Sequence, residues 1–411
     1  MRRREFMWLL PASLTLPRAL FADEEHAFRI RTITAGIPVK LENWQQQFKE
    51  AADFLVSARS EYQDLGYEVQ TLRIATQPLP DYVDDWASTE GLQVLSEMDD
   101  FCDQHGFVAS VGKVIDSDKH EPDLPEWAAE LVRSTNNISF TVGIASADGG
   151  VHSKAIRSAA ETIVSLSTAS PGGEGNFRFA ATAFCPSGTP FFPAAWHQGE
   201  PSFAVGLETP PLLLQAAKSR PEHLPVSIHL AATLDAALTP IQTQAEKIAQ
   251  RTGRKYHGID TSPAPGPDAS IGEVIEAITG SPFGSASTLR ACANITDGLK
   301  NLQVKTCGYS GLMLPVIEDK VLAKRAAEGR YGVQELLLYS SVCGTGLDVV
   351  PLPGDSSTEA LELLIGDVAA LSAKYQKPLS ARLFPIPGKK AGEAVTFDNE
   401  FLTDSVVMTI D

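Results

Sequence analysis

Cysteine is scarce in this sequence. Five cysteines stand among 411 residues, at long spacings and without a Cys-x-x-Cys pair: Cys102, Cys185, Cys292, Cys307 and Cys343. A structural zinc site normally uses closely spaced cysteine pairs, so none is expected here. A disulfide scaffold is not expected either, because a chain of this length can bury enough apolar surface without one.

Positive charge is scarce as well. Lys and Arg total 34 against 51 Asp and Glu, which gives a formal net charge of −17. Attraction to phosphates needs clustered positive charge, so neither nucleic acid nor an anionic membrane surface is expected as the main partner. Hydrophobic residues make up 43% of the chain and charged residues 21%, which is typical of a globular protein and excludes disorder as the overall description.

Several cofactor motifs are absent too. The first predicted strand leads into Ala35-Gly36-Ile37 rather than Gly-x-Gly-x-x-Gly, so NAD and FAD have no support. His-Glu-x-x-His is missing, and no two histidines stand four residues apart, which excludes a zincin at the level of motifs. No metal is predicted, and no motif specifies a cofactor.

Residues 1–22 predict an export signal. Paired arginines, one spacer and two large apolar residues (Arg3-Arg4-Glu5-Phe6-Met7) precede a short apolar run, which resembles a bacterial twin-arginine signal with cleavage after Ala22. The run has about 11 residues, whereas a membrane-spanning helix needs roughly 20, and no later segment reaches that length without charge or proline. We therefore expect a periplasmic or secreted protein without stable membrane insertion. The alternative is a cytoplasmic protein with a basic N-terminus.

Beyond the signal, short β-rich runs alternate with stretches of helix length. Residues 28–34 alternate with the period of a strand, and residues 43–64 place apolar side chains on one helical face. Such alternation continues over about ten units and predicts parallel strands joined by crossovers. We therefore expect residues 28–411 to form a single α/β domain, with functional side chains in the loops at the carboxyl ends of strands.

Two segments of this pattern carry more specific predictions. Residues 228–251 predict a long helix interrupted at Pro240, because proline lacks the backbone N–H that a helix needs. Residues 303–315 predict a strand that ends in a glycine-rich turn.

The first candidate site is the loop that starts at Asp260. This carboxylate ends a predicted strand, and a stiff proline-rich loop, Thr261 to Gly266, follows it. Asp260 is a candidate acid/base residue or cation ligand, and Ser262 is a candidate ligand contact. The alternative is that Asp260 only caps the turn that it begins.

The second candidate is the segment from Cys343 to Asp348. Cys343 is a candidate nucleophile, Asp348 a candidate partner carboxylate, and Gly344 allows close approach of a ligand to the backbone. A nucleophilic thiol needs a lowered pKa, whereas the carboxyl end of the predicted helix disfavours a thiolate. A buried apolar cysteine is therefore the preferred interpretation.

Three further residue groups are weaker candidates. Ser310 and Gly311 lie in a Gly-x-Ser-Gly turn whose backbone N–H groups can contact an anion, with a plain tight turn as the alternative. His197 is followed closely by Glu200 in a Pro/Gly-rich loop and is a candidate general base or metal ligand, with a hydrogen-bonding loop histidine as the alternative. Asn136 opens a predicted strand and is a candidate ligand contact.

Together these loops resemble the family called domain of unknown function 711. The matching segments are residues 30–37, 134–138, 196–200, 260–266, 284–289, 308–319 and 343–348, so the resemblance covers about residues 28–390. It implies a barrel-like, mostly parallel sheet of about ten strands in two five-stranded halves, similar to glycyl radical enzymes such as pyruvate formate-lyase. Their activity does not carry over, because their C-terminal Arg-Val-x-Gly loop and adjacent catalytic cysteines are missing here.

The sequence leaves two hypotheses about function. The first is an enzyme that performs acid/base or hydrolytic chemistry on a small polar metabolite. The second is a non-catalytic ligand-binding or assembly protein with the same fold, and homo-oligomer formation is compatible with either. Convergence of the candidate side chains in one pocket favours the enzyme.

Overall fold

The structure is a computed structural model and describes residues 26–266 and 268–410. The predicted export signal lies outside the described residues. The strands of the described part are β1 (Arg29–Ile37), β2 (Val69–Thr76), β3 (Val108–Ile115), β4 (Ile138–Ser146), β5 (Gly150–Val151), β6 (Phe179–Ala183), β7 (Ser202–Glu208), β8 (Lys255–Pro263), β9 (Gly346–Pro353), β10 (Leu379–Ile386), β11 (Ala394–Val395) and β12 (Ser405–Val406).

Helices follow most of these strands, as the alternating sequence pattern predicts. Those in the described part are α1 (Trp44–Gln63), α2 (Thr89–His105), α3 (Leu124–Ser134), α4 (Ser153–Ala169), α5 (Pro210–Ser219), α6 (Val226–Thr252), α7 (Ile271–Thr279), α8 (Thr288–Lys300), α9 (Lys320–Ala327), α10 (Val333–Ser340) and α11 (Thr358–Tyr375). Among residues 26–266 and 268–410, no helix is both long and apolar enough to cross a membrane.

The main sheet consists of two groups of strands that run in opposite directions. Its order is β8-β7-β1-β2-β3-β4-β6-β10-β9, with β5 paired to β4. The first group, β1, β2, β3, β4 and β6, is parallel throughout. The second group contains the parallel pairs β7–β8 and β9–β10. Because β7 pairs antiparallel with β1, and β10 with β6, the carboxyl ends of the second group lie beside the amino ends of the first.

Helices cover the sheet, and its strands are buried along most of their length. Every residue of β7 and of β10 is buried, which is typical of strands in an α/β sheet. Most of these buried positions are apolar, but Arg73 of β2 and Arg382 of β10 are buried too. A buried arginine is unusual unless it has a partner, so these two positions need a chemical explanation.

The predicted α/β fold and its mostly parallel sheet are confirmed. The hydrogen-bonded order, however, ends at β8 and β9, so the strand ladders do not close into a barrel. Two isolated parallel bridges, Ile259–Thr306 and Pro315–Asp348, connect these edge strands to the segment between residues 304 and 316.

Two local predictions were wrong. Residues 303–315 do not form a strand, since backbone N–H groups at 309 and 310 bond the side chain of Asp260 instead of a neighbouring strand. Helix α6 continues through Pro240 without interruption. Its packing against α8 and α1 offsets the loss of one backbone hydrogen bond.

Candidate functional site

Asp260 lies at the centre of a closed hydrogen-bond network, which we call the Asp260 clasp (Asp260, Ser262, Tyr309, Ser310 and Gly311). The Oδ1 atom of Asp260 accepts from the Ser262 hydroxyl at 2.7 Å and from the Ser310 N–H at 2.9 Å. Its Oδ2 atom accepts from the Tyr309 N–H at 2.8 Å. The Gly311 N–H donates to the Ser262 hydroxyl at 3.1 Å. The clasp therefore ties the end of β8 to the 309–311 turn.

The Asp260 carboxylate is fully buried, with an exposed fraction of 0%. Burial raises its pKa, while the donors of Ser262, Ser310 and Tyr309 act in the opposite direction. Ser310 has a φ of 40°, a left-handed conformation that is costly for a residue with a Cβ, and the clasp holds it there. The structure thus brings the candidates Asp260, Ser262, Ser310 and Gly311 together in an arrangement that joins backbone segments.

Gly344 meets Gly311 in a contact between two backbones. A Cβ atom added to either glycine would overlap the Cα atom of the other, so neither position has room for a side chain. The Gly344 N–H donates to Leu312 O at 3.0 Å, which fixes this approach. Both glycines therefore serve chain packing here.

Cys343 lies at the carboxyl end of α10, where its thiol is buried. Its carbonyl oxygen accepts from Lys377 Nζ at 2.7 Å, and the same ammonium donates to the carbonyls of Ser340 and Ser341. Lys377 thereby satisfies the free carbonyls of this helix end. Cys343 also lines a cavity of about 260 Å³ with Tyr309 and other residues.

His197 lies apart from the clasp, against the carboxyl end of β1. Its backbone N–H donates to Thr76 O at 2.8 Å. Its ring nitrogens lie 2.8 Å from Gly199 O and 3.1 Å from the Ser202 hydroxyl. Burial lowers the pKa of His197, which favours the neutral ring. Both nitrogens are therefore occupied within the protein.

Asn136 is also separate from the other candidates. It precedes the amino end of β4, it is exposed, and its backbone N–H donates to the Asp99 carboxylate at 3.0 Å. The neighbouring Asn137 N–H donates to the same carboxylate at 2.6 Å. Asp99 thus fixes the entry into β4.

Asp348 leads to a second cluster of charges that the sequence did not reveal. Arg382 Nη1 donates to Asp348 Oδ1 at 2.9 Å and to Glu318 Oε1 at 3.2 Å, so two carboxylates share one nitrogen. Burial raises the pKa of Glu318; the Arg382 charge opposes this shift and the Asp348 charge adds to it. Glu318 therefore has the character of a carboxyl group that can take up a proton.

Glu318 and Arg382 line a cavity that we call the arginine chamber. Its volume is about 120 Å³, and its charged lining residues are Arg31, Arg73, Arg382 and Glu318. A wider outer pocket of about 420 Å³ shares Arg31, Glu318 and Phe401 with it. The chamber therefore lies next to a larger pocket, and the two share part of their lining.

The chamber receives its arginines from three strands of the sheet. Arg31 belongs to β1, Arg73 to the adjacent β2, and Arg382 to β10 in the other strand group. The connection between β6 and β7 also reaches this region, since the Thr34 hydroxyl donates to Pro190 O at 2.8 Å and Arg73 donates to the same oxygen. Residues from distant parts of the chain thereby surround one cavity.

Arg73 differs from the other two arginines in its ion pairing. Arg382 contacts two carboxylates, and Arg31 lies 3.8 Å from Glu208. Arg73 has no carboxylate within 4.0 Å among residues 26–266 and 268–410, and its Nε atom is buried without a hydrogen-bond partner there. Burial lowers the pKa of Arg73 to about 9, and the charges of Arg31 and Arg382 add to this shift. At neutral pH the group therefore carries a buried positive charge that no carboxylate of the described residues contacts.

Phenylalanine rings complete the chamber. Each guanidinium faces one ring: Arg31 lies 5.3 Å from the Phe401 centroid, Arg73 5.6 Å from that of Phe192, and Arg382 5.1 Å from that of Phe177. Such contacts stabilise the cations only modestly, by about 0.5–2 kcal/mol each. They also give the cavity apolar walls next to its charges.

These arginines were not among the predicted site residues, because functional side chains were expected in the loops at the carboxyl ends of strands. A signal was present, since Leu72-Arg73-Ile74 and Ala381-Arg382-Leu383 place arginine inside otherwise apolar strands. Glu318 lies within residues 308–319, a segment of the family resemblance, but it was not predicted to be a site residue. Among the residues that the structure describes, no cluster of three or more His, Cys, Asp or Glu side chains is placed to hold a metal ion.

These features define an α/β protein with an arginine-lined cavity between two opposed groups of parallel strands. The chain belongs to the family described as Uncharacterised ACR (DUF711), whose model matches residues 23–399. This membership confirms the family resemblance of the loops. A likeness to glycyl radical enzymes is not part of what the comparison establishes.

Relatives from distant organisms match most of the chain. A UPF0210 protein of Pyrobaculum islandicum is 30% identical over 345 residues, which cover 80% of this chain and 76% of that protein. A UPF0210 protein of Syntrophobacter fumaroxidans is 28% identical over 414 residues, which cover 93% of this chain and 90% of that protein. A UPF0210 protein of Carboxydothermus hydrogenoformans is 24% identical over 425 residues, which cover 94% of this chain and 92% of that protein.

Proposed function

We propose that the protein binds a small organic anion in the arginine chamber and performs acid/base chemistry on it through Glu318. The observation that carries this proposal is the buried charge of Arg73. A buried cation is costly unless an anion neutralises it. Among the described residues no carboxylate contacts Arg73, so a bound anion is the natural partner.

Glu318 supplies the chemical part of the proposal. It lines both the chamber and the outer pocket, so an anion held by Arg73 has a carboxyl group in the same cavity. Burial raises the pKa of Glu318, and a carboxyl group with a raised pKa takes up a proton more readily than an ordinary one. Arg382 and Asp348 position this group and keep its charge coupled to theirs.

Isothermal titration calorimetry tests the binding step. The probes are acetate, benzoate and inorganic phosphate, titrated into the wild-type protein, Arg73→Met and Arg133→Met. Arg133 is an exposed arginine of α3 and serves as the control. We expect wild type and Arg133→Met to bind at least one probe equally, and Arg73→Met to bind it about 10- to 100-fold more weakly, as for a lost hydrogen bond to a charged group. Equal binding by all three proteins would remove Arg73 as the anion site.

Proton uptake tests the role of Glu318. Binding heats measured at pH 6 in buffers with different ionisation enthalpies give the number of protons that accompany the anion. A bound anion raises the pKa of a nearby carboxyl group, so we expect uptake in wild type and none in Glu318→Gln. Binding without uptake in wild type would leave a non-catalytic binding protein as the better description. The salt bridge of Arg382 to Glu318 at 3.2 Å is the observation that favours this alternative.

We further propose that the two strand groups enclose the chamber in a barrel-like way, as in glycyl radical enzymes. The bridges at Thr306 and Pro315 support this, since they join the segment between them to both edge strands. A crystal structure in which residues 304–316 leave one of these edges would contradict it.

Export through the twin-arginine route is also a proposal. The double variant Arg3→Lys/Arg4→Lys should remain unprocessed in the cytoplasm, because the paired arginines carry the signal. Normal export of this variant would exclude the route.

A further inference from the structure

The walls of the arginine chamber narrow the chemical class of its ligand, provided that the proposed anion binding is correct. We infer that the ligand is a monocarboxylate with an apolar body about the size of a six-membered ring. Two features carry this inference: the number of uncompensated charges and the apolar lining. The volume of the chamber limits the size of the apolar body.

The charges favour one negative group. Arg382 already contacts Asp348 and Glu318, and Arg31 lies near Glu208, so these two cations have carboxylates of the protein close by. Arg73 has none among the described residues. A single carboxylate neutralises one guanidinium in a planar, two-point contact. A phosphate dianion needs a second free cation, and Glu318 in the same cavity would repel its additional charge.

The walls favour an apolar body. Four phenylalanines line the chamber together with Val108 and Met313: Phe177, Phe191, Phe192 and Phe401. The rings of Phe177 and Phe192 lie 5.5 Å apart, and those of Phe177 and Phe401 are stacked at 6.3 Å, so they form one continuous aromatic surface. A polar or very small acid would leave this surface without a partner.

The volume favours a ring-sized body. The chamber measures about 120 Å³. A protein cavity of roughly 150 Å³ holds benzene, so a six-membered ring with its carboxylate at Arg73 takes up the whole chamber and reaches its opening. Larger groups have to extend past Phe401 into the outer pocket of about 420 Å³.

The affinities of four probes test the inference: acetate, benzoate, cyclohexanecarboxylate and inorganic phosphate. Each buried methylene strengthens binding roughly fourfold. We therefore expect benzoate and cyclohexanecarboxylate to bind wild type at least about 30-fold more tightly than acetate, and phosphate to bind no better than acetate. Tighter binding of phosphate or acetate than of benzoate would overturn the inference while leaving anion binding intact.

Two variants distinguish the contribution of the apolar wall to binding from that of the Arg73 charge. Phe192 faces the Arg73 guanidinium, and Phe192→Leu removes part of the apolar wall while it keeps every charged side chain of the chamber. We expect Phe192→Leu to weaken the binding of benzoate about 5- to 10-fold and to leave the binding of acetate unchanged. Arg73→Met should weaken the binding of both. Equal weakening of acetate and benzoate by Phe192→Leu would overturn the apolar class. Failure of every probe to bind wild type would instead overturn the proposed function itself.

Discussion

The Asp260 clasp and the arginine chamber both bury a charged side chain, but they treat the charge differently. Asp260 accepts hydrogen bonds from backbone and hydroxyl donors of its own loop and of the 309–311 turn. Arg73 donates to one carbonyl oxygen and has a buried Nε atom without a partner among the described residues. One charge is satisfied within the fold, and the other is not.

We interpret this difference as one between a structural role of the clasp and the proposed binding role of the chamber. A satisfied buried carboxylate stabilises the chain segments that its donors come from, and its removal leaves those donors unpaired. An unsatisfied buried cation lowers stability and is retained only when something else uses it. The residues that are best placed for chemistry are therefore not those in the most densely bonded loop.

The largest predicted effect is the loss of the clasp. Asp260→Ala leaves the buried N–H groups of Tyr309 and Ser310 without acceptors, so the free energy of unfolding should fall by about 3 kcal/mol. Urea denaturation measures this loss. Asp297→Ala removes an exposed carboxylate of α8 and should change stability by less than about 0.5 kcal/mol. Similar stability of both variants would break the distinction between clasp and chamber.

A smaller loss of stability is expected at the contact between Gly311 of the clasp and Gly344. Gly344→Ala places a Cβ against the backbone of Gly311, which cannot move aside as a side chain does, and should cost about 2 kcal/mol. Gly366→Ala in α11 is the matched control. No atom lies within 4 Å of its added Cβ, so it should be neutral or stabilising by up to about 1 kcal/mol. Thermal melts of both variants decide this, and a neutral Gly344→Ala would mean that the two loops are free to separate.

The smallest predicted effect on stability concerns His197. Both of its ring nitrogens have hydrogen-bond partners within the protein, as both carboxylate oxygens of Asp260 do. Burial lowers its pKa in the folded state, so the unfolded chain binds the proton more readily. The stabilisation is present above the unfolded pKa of about 6.5 and is lost as the pH falls through the folded value. His197→Asn should therefore reduce the loss of stability between pH 7.5 and 5, by less than about 1 kcal/mol. An unchanged pH dependence of the melting temperature would show that His197 is not held neutral.

Most of the fold could be predicted from sequence because the alternation of strand and helix is local. Strand β1 and helix α1, for example, lie within three residues of their predicted bounds. The order of the strands, and the reversal of direction between the two groups, could not be predicted. Both depend on long-range pairing, such as β7 with β1, for which no local pattern exists.

The candidate site was predicted only in part, for a related reason. Asp260, Ser262, Ser310 and Gly311 do converge, since carboxyl ends of strands and the turns beside them are natural meeting points. Arg73 and Arg382 belong to different strand groups, and only the sheet brings them to one cavity. An arginine within an apolar strand is the pattern that would have indicated them.

The most direct test is the unfolding free energy of wild type and Arg73→Met, each measured with and without saturating benzoate. Without benzoate we expect Arg73→Met to be at least as stable as wild type, because a buried charge without a counter-ion is replaced by an apolar side chain. With benzoate, wild type should gain stability and the variant should not. The account would be contradicted if Arg73→Met were less stable by more than about 2 kcal/mol without benzoate and if benzoate shifted both proteins equally.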